Sequence, residues 1–215
     1  MQITAHSGSE GTADNSWEFI DRFIDGPADC IELDVRRDSD GDLCLGHDGP
    51  DADSPVMLAD VFAALATHPG MKLNCDLKEP GLEAAVRRLG SDCGVSDRLQ
   101  YSGTLDPDAF GAGVAAKVMY NPENLISDFY ADSRHWSDPE AWRALASYCI
   151  THGVTALNVN YRVLDDSALS ILDEQGVALS VWTVDDREAQ LRFARLGVFN
   201  ITTRRPHDLL EAVRC

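Results

Sequence analysis

Basic side chains are scarce in this sequence. Eighteen Lys and Arg stand against 36 Asp and Glu, a formal net charge of −18 at pH 7. A chain this acidic repels phosphate polymers, which excludes general binding to nucleic acid or to an anionic bilayer. Long apolar runs are missing too. No window approaches the roughly 18 consecutive apolar residues of a membrane span. The first residues show no basic region followed by an apolar stretch, so neither a signal peptide nor a membrane anchor is expected. The six cysteines are scattered, without a C-x-x-C pair or a Cys/His zinc spacing. Cys30 and Cys75 lie inside apolar runs and are expected as small buried side chains, which suits a reducing cytoplasm. No Gly-x-Gly-x-x-Gly follows the first strand-like segment, so nothing marks a dinucleotide site. Linkers and low-complexity tracts are absent, and residues 1–215 are expected to form a single domain.

What is present is an alternation of strand-like and helix-like segments. Strands are expected at 3–6, 30–36, 73–78, 99–102, 116–120, 156–161, 177–184 and 199–202, with a short hairpin arm at 43–45. Asn15 and Glu18 have capping-box spacing before a helix carrying Trp17, Ile20, Phe23 and Ile24 at helical period. Further helices are expected at 57–67, 83–89, 106–110, 137–152, 166–175, 187–196 and 207–213. Strand–helix alternation implies parallel pairing with right-handed crossovers. Eight such units in this length predict an α/β fold, a compact (β/α)8 TIM barrel with a small hairpin after the second strand. A doubly wound open sheet is the competing architecture.

Alternate residues of a strand face opposite sides. One register reads Ile31, Leu33, Val35; Leu73, Cys75, Leu77; Leu157, Val159; Leu179, Val181; Phe199, Ile201, and is apolar. The other reads Thr4, His6; Glu32, Asp34, Arg36; Asn74, Asp76, Lys78; Gln100, Ser102; Asn158, Asn160; Ser180, Trp182; Asn200, Thr202, and is almost wholly polar. A polar barrel interior is costly unless its groups pair with each other, with water or with a ligand. The acids stand toward the carboxyl ends of their strands, where barrel active sites form.

Glu32 and Asp34 share one face of a strand, and Asp76 takes the matching register of the next. Three converging carboxylates need compensation by protons or by a cation. An all-oxygen set suits one divalent cation, Mg²⁺ or Ca²⁺, better than Zn²⁺. Lys78 shares the face of Asp76, so a salt-bridge network is the structural alternative. His6 ends the first strand and His47 follows the hairpin arm. Two histidines beside such acids can act as general acid and base near neutral pH.

These residues resemble the glycerophosphodiester phosphodiesterases, within the phosphatidylinositol-phospholipase-C-like barrel superfamily. The resembling pieces are Ala5-His6-Ser7-Gly8, Asp14-Asn15-Ser16, Ile31-Glu32-Leu33-Asp34-Val35, Asp40-Gly41, His47-Asp48, Asp76-Leu77-Lys78, Val181-Trp182-Thr183-Val184-Asp185-Asp186 and Leu196-Gly197-Val198, in the family's order over almost the whole chain. The resemblance implies a metal-dependent barrel hydrolysing glycerophosphodiesters to glycerol 3-phosphate and an alcohol. By motif match it puts the metal ligands on Glu32, Asp34 and Asp76 and the catalytic histidines on His6 and His47. Lys78 then lies at the substrate phosphate, and Trp182 lines the cleft. Its partner would be a small phosphodiester, and the oligomeric state is left open.

The departures are specific. The family's His-Arg-Gly is His6-Ser7-Gly8, which removes an arginine that helps bind phosphate; Arg36, or Arg204 or Arg205 after the last strand, are the candidates to replace it. The third acid is Asp76 rather than Glu, as in the related sphingomyelinase D-type enzymes, which give a cyclic phosphate. A lyase or isomerase acting on another phosphorylated small molecule, and a catalytically silent barrel, are the remaining readings.

Overall fold

The computed structural model describes residues 1–49, 55–110 and 117–214. Nine strands form its sheet: β1 (Gln2–Ala5), β2 (Cys30–Arg37), β3 (Leu43–Leu45), β4 (Lys72–Leu77), β5 (Leu99–Gly103), β6 (Met119–Tyr120), β7 (Ala156–Asn160), β8 (Leu179–Trp182) and β9 (Asn200–Thr203). Eight run parallel in the order β5-β4-β2-β1-β9-β8-β7-β6. A parallel bridge from Tyr101 to Val118 joins the two ends of that order and nearly closes a TIM barrel. The arm β3 pairs antiparallel with the end of β2, Val35 opposite Leu45, as expected from Leu43–Leu45.

Seven α-helices cover the barrel among the described residues: α1 (Trp17–Phe23), α2 (Leu58–Ala66), α3 (Glu83–Asp92), α4 (Pro139–His152), α5 (Asp166–Glu174), α6 (Arg187–Leu196) and α7 (Pro206–Arg214). Their starts are set by local chemistry. Asp138, Asp165 and Asp186 each accept a hydrogen bond from the first turn of α4, α5 and α6. Gly153 and Gly197 end α4 and α6 in the left-handed conformation, at φ 65° and 70°.

The eighth helix differs from expectation. Between β5 and β6 the expected helix at 106–110 is instead a 3-10 turn, Pro107–Phe110, in which Pro107 supplies a fixed φ but no N–H. The expected strand at 116–120 begins outside the described residues, as does Cys215. The capping-box expectation for Asn15 also fails. Ser16 caps α1, its Oγ accepting from Phe19 N, while Asn15 is buried with φ 53°. Trp17 is correspondingly exposed, and Phe19, Ile20 and Phe23 form the buried face of α1.

The apolar register packs outward under the helices. Ile31, Leu33, Val35, Leu73, Cys75, Leu77, Leu157, Val159, Val181 and Ile201 are fully buried against faces such as Leu58, Val61, Phe62 and Leu65 of α2. Each such aliphatic side chain contributes about 1.5–3 kcal/mol. This layer offsets the cost of a polar interior, and so frees the other register for chemistry.

Candidate active site

The register of the parallel strands brings the polar side chains into rows. Asp34 of β2 stands opposite Asp76 of β4, and Asp76 opposite Ser102 of β5. Deeper in the barrel the interior satisfies itself. Thr4 Oγ1 donates to Asn200 Oδ1 (2.7 Å), Asn200 Nδ2 to Ser180 Oγ (3.0 Å), Ser180 Oγ to Asn158 Oδ1 (2.8 Å), and Asn158 Nδ2 to Asn121 Oδ1 (2.9 Å). Such a chain is rigid because each member fixes the next. Cys30 belongs to this interior, and burial raises its thiol to about 12, which keeps it protonated and unreactive. Cys30, Cys44, Cys75 and Cys149 are buried free thiols.

Above that floor lies a cavity of about 280 Å³, lined by His6, Glu32, His47, Asp76, Lys78 and Trp182 together with Asn74, Ser102, Asn121, Glu123 and Asn158. Ligand oxygens of Glu32, Asp34 and Asp76 all lie within 4.8 Å of one another. Lys78 Nζ sits 2.8 Å from Asp34 Oδ1 and 2.5 Å from Asp76 Oδ2. Ser102 Oγ donates to the other Asp76 oxygen at 2.7 Å. Burial, with the charges of Asp34 and Asp76, pushes the Glu32 carboxyl well above its ordinary value. Burial works against Asp34 as well, but the Lys78 ammonium and the Asn15 amide hold it below its ordinary value. The Lys78 ammonium is partly desolvated, yet its three acidic neighbours raise it.

His6 is largely buried, and that burial lowers its pKa. Its Nδ1 is 2.9 Å from the Ser7 carbonyl. An acceptor at that position requires a proton on Nδ1, so the neutral ring carries its lone pair on Nε2. Glu32 Oε2 lies 3.8 Å from the same Nδ1. His47 is exposed, with Nδ1 2.9 Å from Asp48 Oδ1.

Sequence order hid the bracing. Ser7, where the resembling family carries arginine, is fully buried. Its N–H donates to Glu32 Oε2 (3.2 Å) and its Oγ to Asn15 Oδ1 (3.1 Å). Asn15 in turn accepts from Asp34 N (3.0 Å) and donates from Nδ2 to Asp34 Oδ2 (2.9 Å). The residue read as a helix cap therefore orients an acid of the site, and its left-handed φ is what turns it inward.

Arg36, expected at the substrate phosphate, is placed elsewhere. Its guanidinium donates to the carbonyls of Gly46, His47 and Asp48 at 3.1, 2.9 and 3.1 Å. Its donors are turned to the loop that carries His47 rather than to the cavity. Arg204 forms a two-point pair with Asp14 (2.7 and 3.1 Å) and reaches the Gly8 carbonyl. Arg205 pairs with Asp208. Lys78 is thus the cation brought to the acids.

Gly103 fixes how closely β5 approaches Asp76. At φ 87°, a Cβ there would lie 2.3 Å from Leu77 O and 2.6 Å from Asp76 Oδ1. We expect Gly103→Ala to lower stability by about 2–3 kcal/mol in urea titrations. An unchanged urea midpoint would refute this account.

A second acidic group, Asp128, Asp132 and His135, lies outside the cavity. There Arg134 covers both oxygens of Asp132, so that aspartate already has its counter-charge.

The strand order and this acid-lined cavity define the chain as a TIM barrel with a candidate active site at the carboxyl ends of its strands, and solved structures carry the comparison further. No protein-family model matches the chain, and no curated protein matches it. A glycerophosphodiester phosphodiesterase from Parabacteroides distasonis is 19% identical, with TM-score 0.70, over 99% of this chain and 96% of that one. An Oleispira antarctica phosphodiesterase in complex with the product sn-glycerol-3-phosphate is 17% identical, with TM-score 0.72, over 100% of this chain and 97% of that one. A Thermotoga maritima glycerophosphodiester phosphodiesterase is 18% identical, with TM-score 0.69, over 98% and 97%. At these identities the likeness establishes a shared fold over the whole length of both chains. The fold the sequence resembled is therefore the fold it has.

Proposed function

We propose that this barrel is a metal-dependent phosphodiesterase that hydrolyses glycerophosphodiesters or a closely related small phosphodiester in the cytoplasm. One observation carries the reading. Glu32, Asp76, Lys78, His6 and His47, drawn from four separate stretches of sequence, line one cavity at the carboxyl ends of the strands, with Asp34 grouped beside the two acids. The fold-sharing enzyme with sn-glycerol-3-phosphate supports the choice of substrate class.

Glu32, Asp34 and Asp76 would hold one divalent cation. The donor set fits: it is all oxygen, its members lie within reach of one atom, and burial together with its acidic neighbours raises the Glu32 carboxyl, a cost that a cation relieves, which suits Mg²⁺ or Ca²⁺. A cation held there supplies Lewis acidity at the phosphoryl oxygens. The remaining work belongs to the chain. Lys78 offsets charge that grows on those oxygens in the transition state. His6 Nε2, unprotonated by virtue of the Ser7 carbonyl bond at Nδ1, takes a proton from the attacking water as its oxygen bonds to phosphorus. His47, paired with Asp48, gives a proton to the leaving alkoxide as the phosphorus–oxygen ester bond breaks. Trp182 closes one wall of the cleft.

The test is turnover. Pure protein is incubated with a panel of glycerophosphodiesters and lysophospholipids, with Mg²⁺, Ca²⁺ or Mn²⁺ and with chelator. Cation-dependent release of glycerol 3-phosphate and a free alcohol is the expected result. A cyclic phosphate that is not opened assigns the attack to the substrate's own hydroxyl. A phosphorylated product without ester cleavage points to a lyase or isomerase. No turnover with any cation overturns the proposal and leaves a silent barrel.

A further inference from the structure

Four buried side-chain polar atoms lack a hydrogen-bond partner among the described residues: Asn74 Oδ1, Glu123 Oε2, Trp182 Nε1 and Gln190 Oε1. Three of these four belong to residues that line the same cavity. Unsatisfied buried polar groups are costly and few in folded proteins. Their concentration in one cavity marks a place where a ligand completes the bonding.

Glu123 and Trp182 are the informative members. Glu123 follows β6 in a 3-10 turn (Pro122–Asn124), and Trp182 ends β8. The acids and Lys78 come from β2, β4 and the residue just after β4. In the closed strand order, β6, β7 and β8 stand across the ring from β2. The cavity therefore has at one end the acids and Lys78, which would hold a cation and the phosphate, and opposite it a wall with an unpaired acceptor and an unpaired donor. Tyr130 packs its ring edge-on against Trp182 at 5.9 Å.

The carboxylate is held in place. Glu123 Oε1 accepts from Asn121 Nδ2 at 3.0 Å, and Asn121 is anchored through Asn158 to Ser180 on the barrel floor. One oxygen is thus bound to the scaffold and the other has no hydrogen-bond partner among the described residues. A rigid acceptor of this kind serves recognition, since its geometry is set before the ligand arrives.

We infer that Glu123, with the Trp182 N–H, is the specificity-determining pair for the non-phosphate part of the substrate, and that it selects an alcohol carrying a free hydroxyl. The inference rests on the phosphodiesterase reading of the cavity. A hydroxyl donates to Glu123 Oε2 and accepts from Trp182 Nε1, satisfying both. An ammonium group would satisfy the carboxylate and leave the indole N–H unpaired. A plain alkyl group would leave both unpaired. An anionic alcohol would meet the carboxylate with like charge.

Binding tests this without requiring turnover. sn-Glycerol 3-phosphate and n-propyl phosphate share a three-carbon chain and a phosphomonoester and differ in the two hydroxyls. Titration calorimetry in the presence of Mg²⁺ or Ca²⁺ gives the affinity ratio of the two. A hydrogen bond to a charged group is strong enough to predict a ratio of about tenfold or more in the unmodified protein. The ratio should fall toward one in Glu123→Gln and fall partway in Trp182→Phe, which keeps the ring and removes the donor. Far-ultraviolet dichroism checks that each variant is folded, and the two substitutions in different elements guard against one failing to fold. A ratio near one in the unmodified protein, no binding of either compound, or a ratio unmoved by both variants overturns the inference. Turnover is read separately. Selective binding without cleavage of any diester would keep the pair and remove the phosphodiesterase. Cleavage with a ratio near one would do the reverse.

Discussion

Replacing His6 by Ala is expected to lower kcat by about 10²–10⁴, the range of a lost general acid or base, and His47→Ala by a similar factor. The physical basis differs for the two. His6 is tied by Nδ1 to the Ser7 carbonyl beside Glu32, so one ring nitrogen is committed and the other is available as base. Its loss opens a small hole beside the acids, and added imidazole should restore part of the rate in that variant. His47 stands on an exposed loop whose three successive carbonyls are gripped by Arg36. Its side chain is largely exposed and braces no other lining residue through a hydrogen bond among the described residues, so substrate affinity should change little while the rate falls. The double variant should be no worse than the product of the two. Activity that survives both substitutions would remove the two-histidine mechanism.

The second large effect concerns stability. Lys78 lies between Asp34 and Asp76 at 2.8 and 2.5 Å, with all three side chains mostly buried. Removing one member of a buried ion pair leaves uncompensated charge and costs about 3–5 kcal/mol. Lys78→Met should therefore be destabilised by that order in urea titrations carried out with chelator. Adding Mg²⁺ or Ca²⁺ should return a large part of the loss, because a divalent cation replaces the missing positive charge. The unmodified protein should gain less from the same addition, since its acids are already partly neutralised. Equal stability of the two proteins in chelator would show that Lys78 is not the counter-charge. Equal gains from the cation would show that the acids do not hold one.

The two experiments bear on one design. A cluster of three acids is unstable by itself and is useful for the same reason: its repulsion is relieved by a cation, whether from Lys78 or from a metal. The outward apolar register supplies the stability that makes such an interior tolerable. The hydrogen-bonded asparagine and serine rows below the acids keep the floor rigid, and three of the four unpaired buried atoms among the described residues belong to residues lining the cavity.

Much of this was legible in the chain. Strand–helix alternation, the hairpin arm at Leu43–Leu45 and the helix Arg187–Leu196 match the structure closely, because caps, glycine stops and periodicity act locally. The two strand faces could be separated because the side-chain period is two, and that placed Glu32, Asp34, Asp76, Asn74, Ser102, Asn158 and Ser180 in the interior. Glu123 was missed, although an acid just past a barrel strand was a visible signal. Its strand is only Met119–Tyr120, too short to show a register.

By itself, then, the sequence determined the periodicities: which side of each strand is apolar, where helices start and stop, and which acids and histidines fall at strand ends. Only the tertiary structure decided how those ends meet. Asp34 lies opposite Asp76 through the β2–β4 register, Asn15 turns from helix cap to brace of Asp34, and Arg36 turns from phosphate to the His47 loop. The physical reason is range. Capping and pleating are settled by neighbours a few residues away, whereas the partner of a long polar side chain is chosen by distance in space. In a closed barrel, that distance is set by strands far apart in sequence.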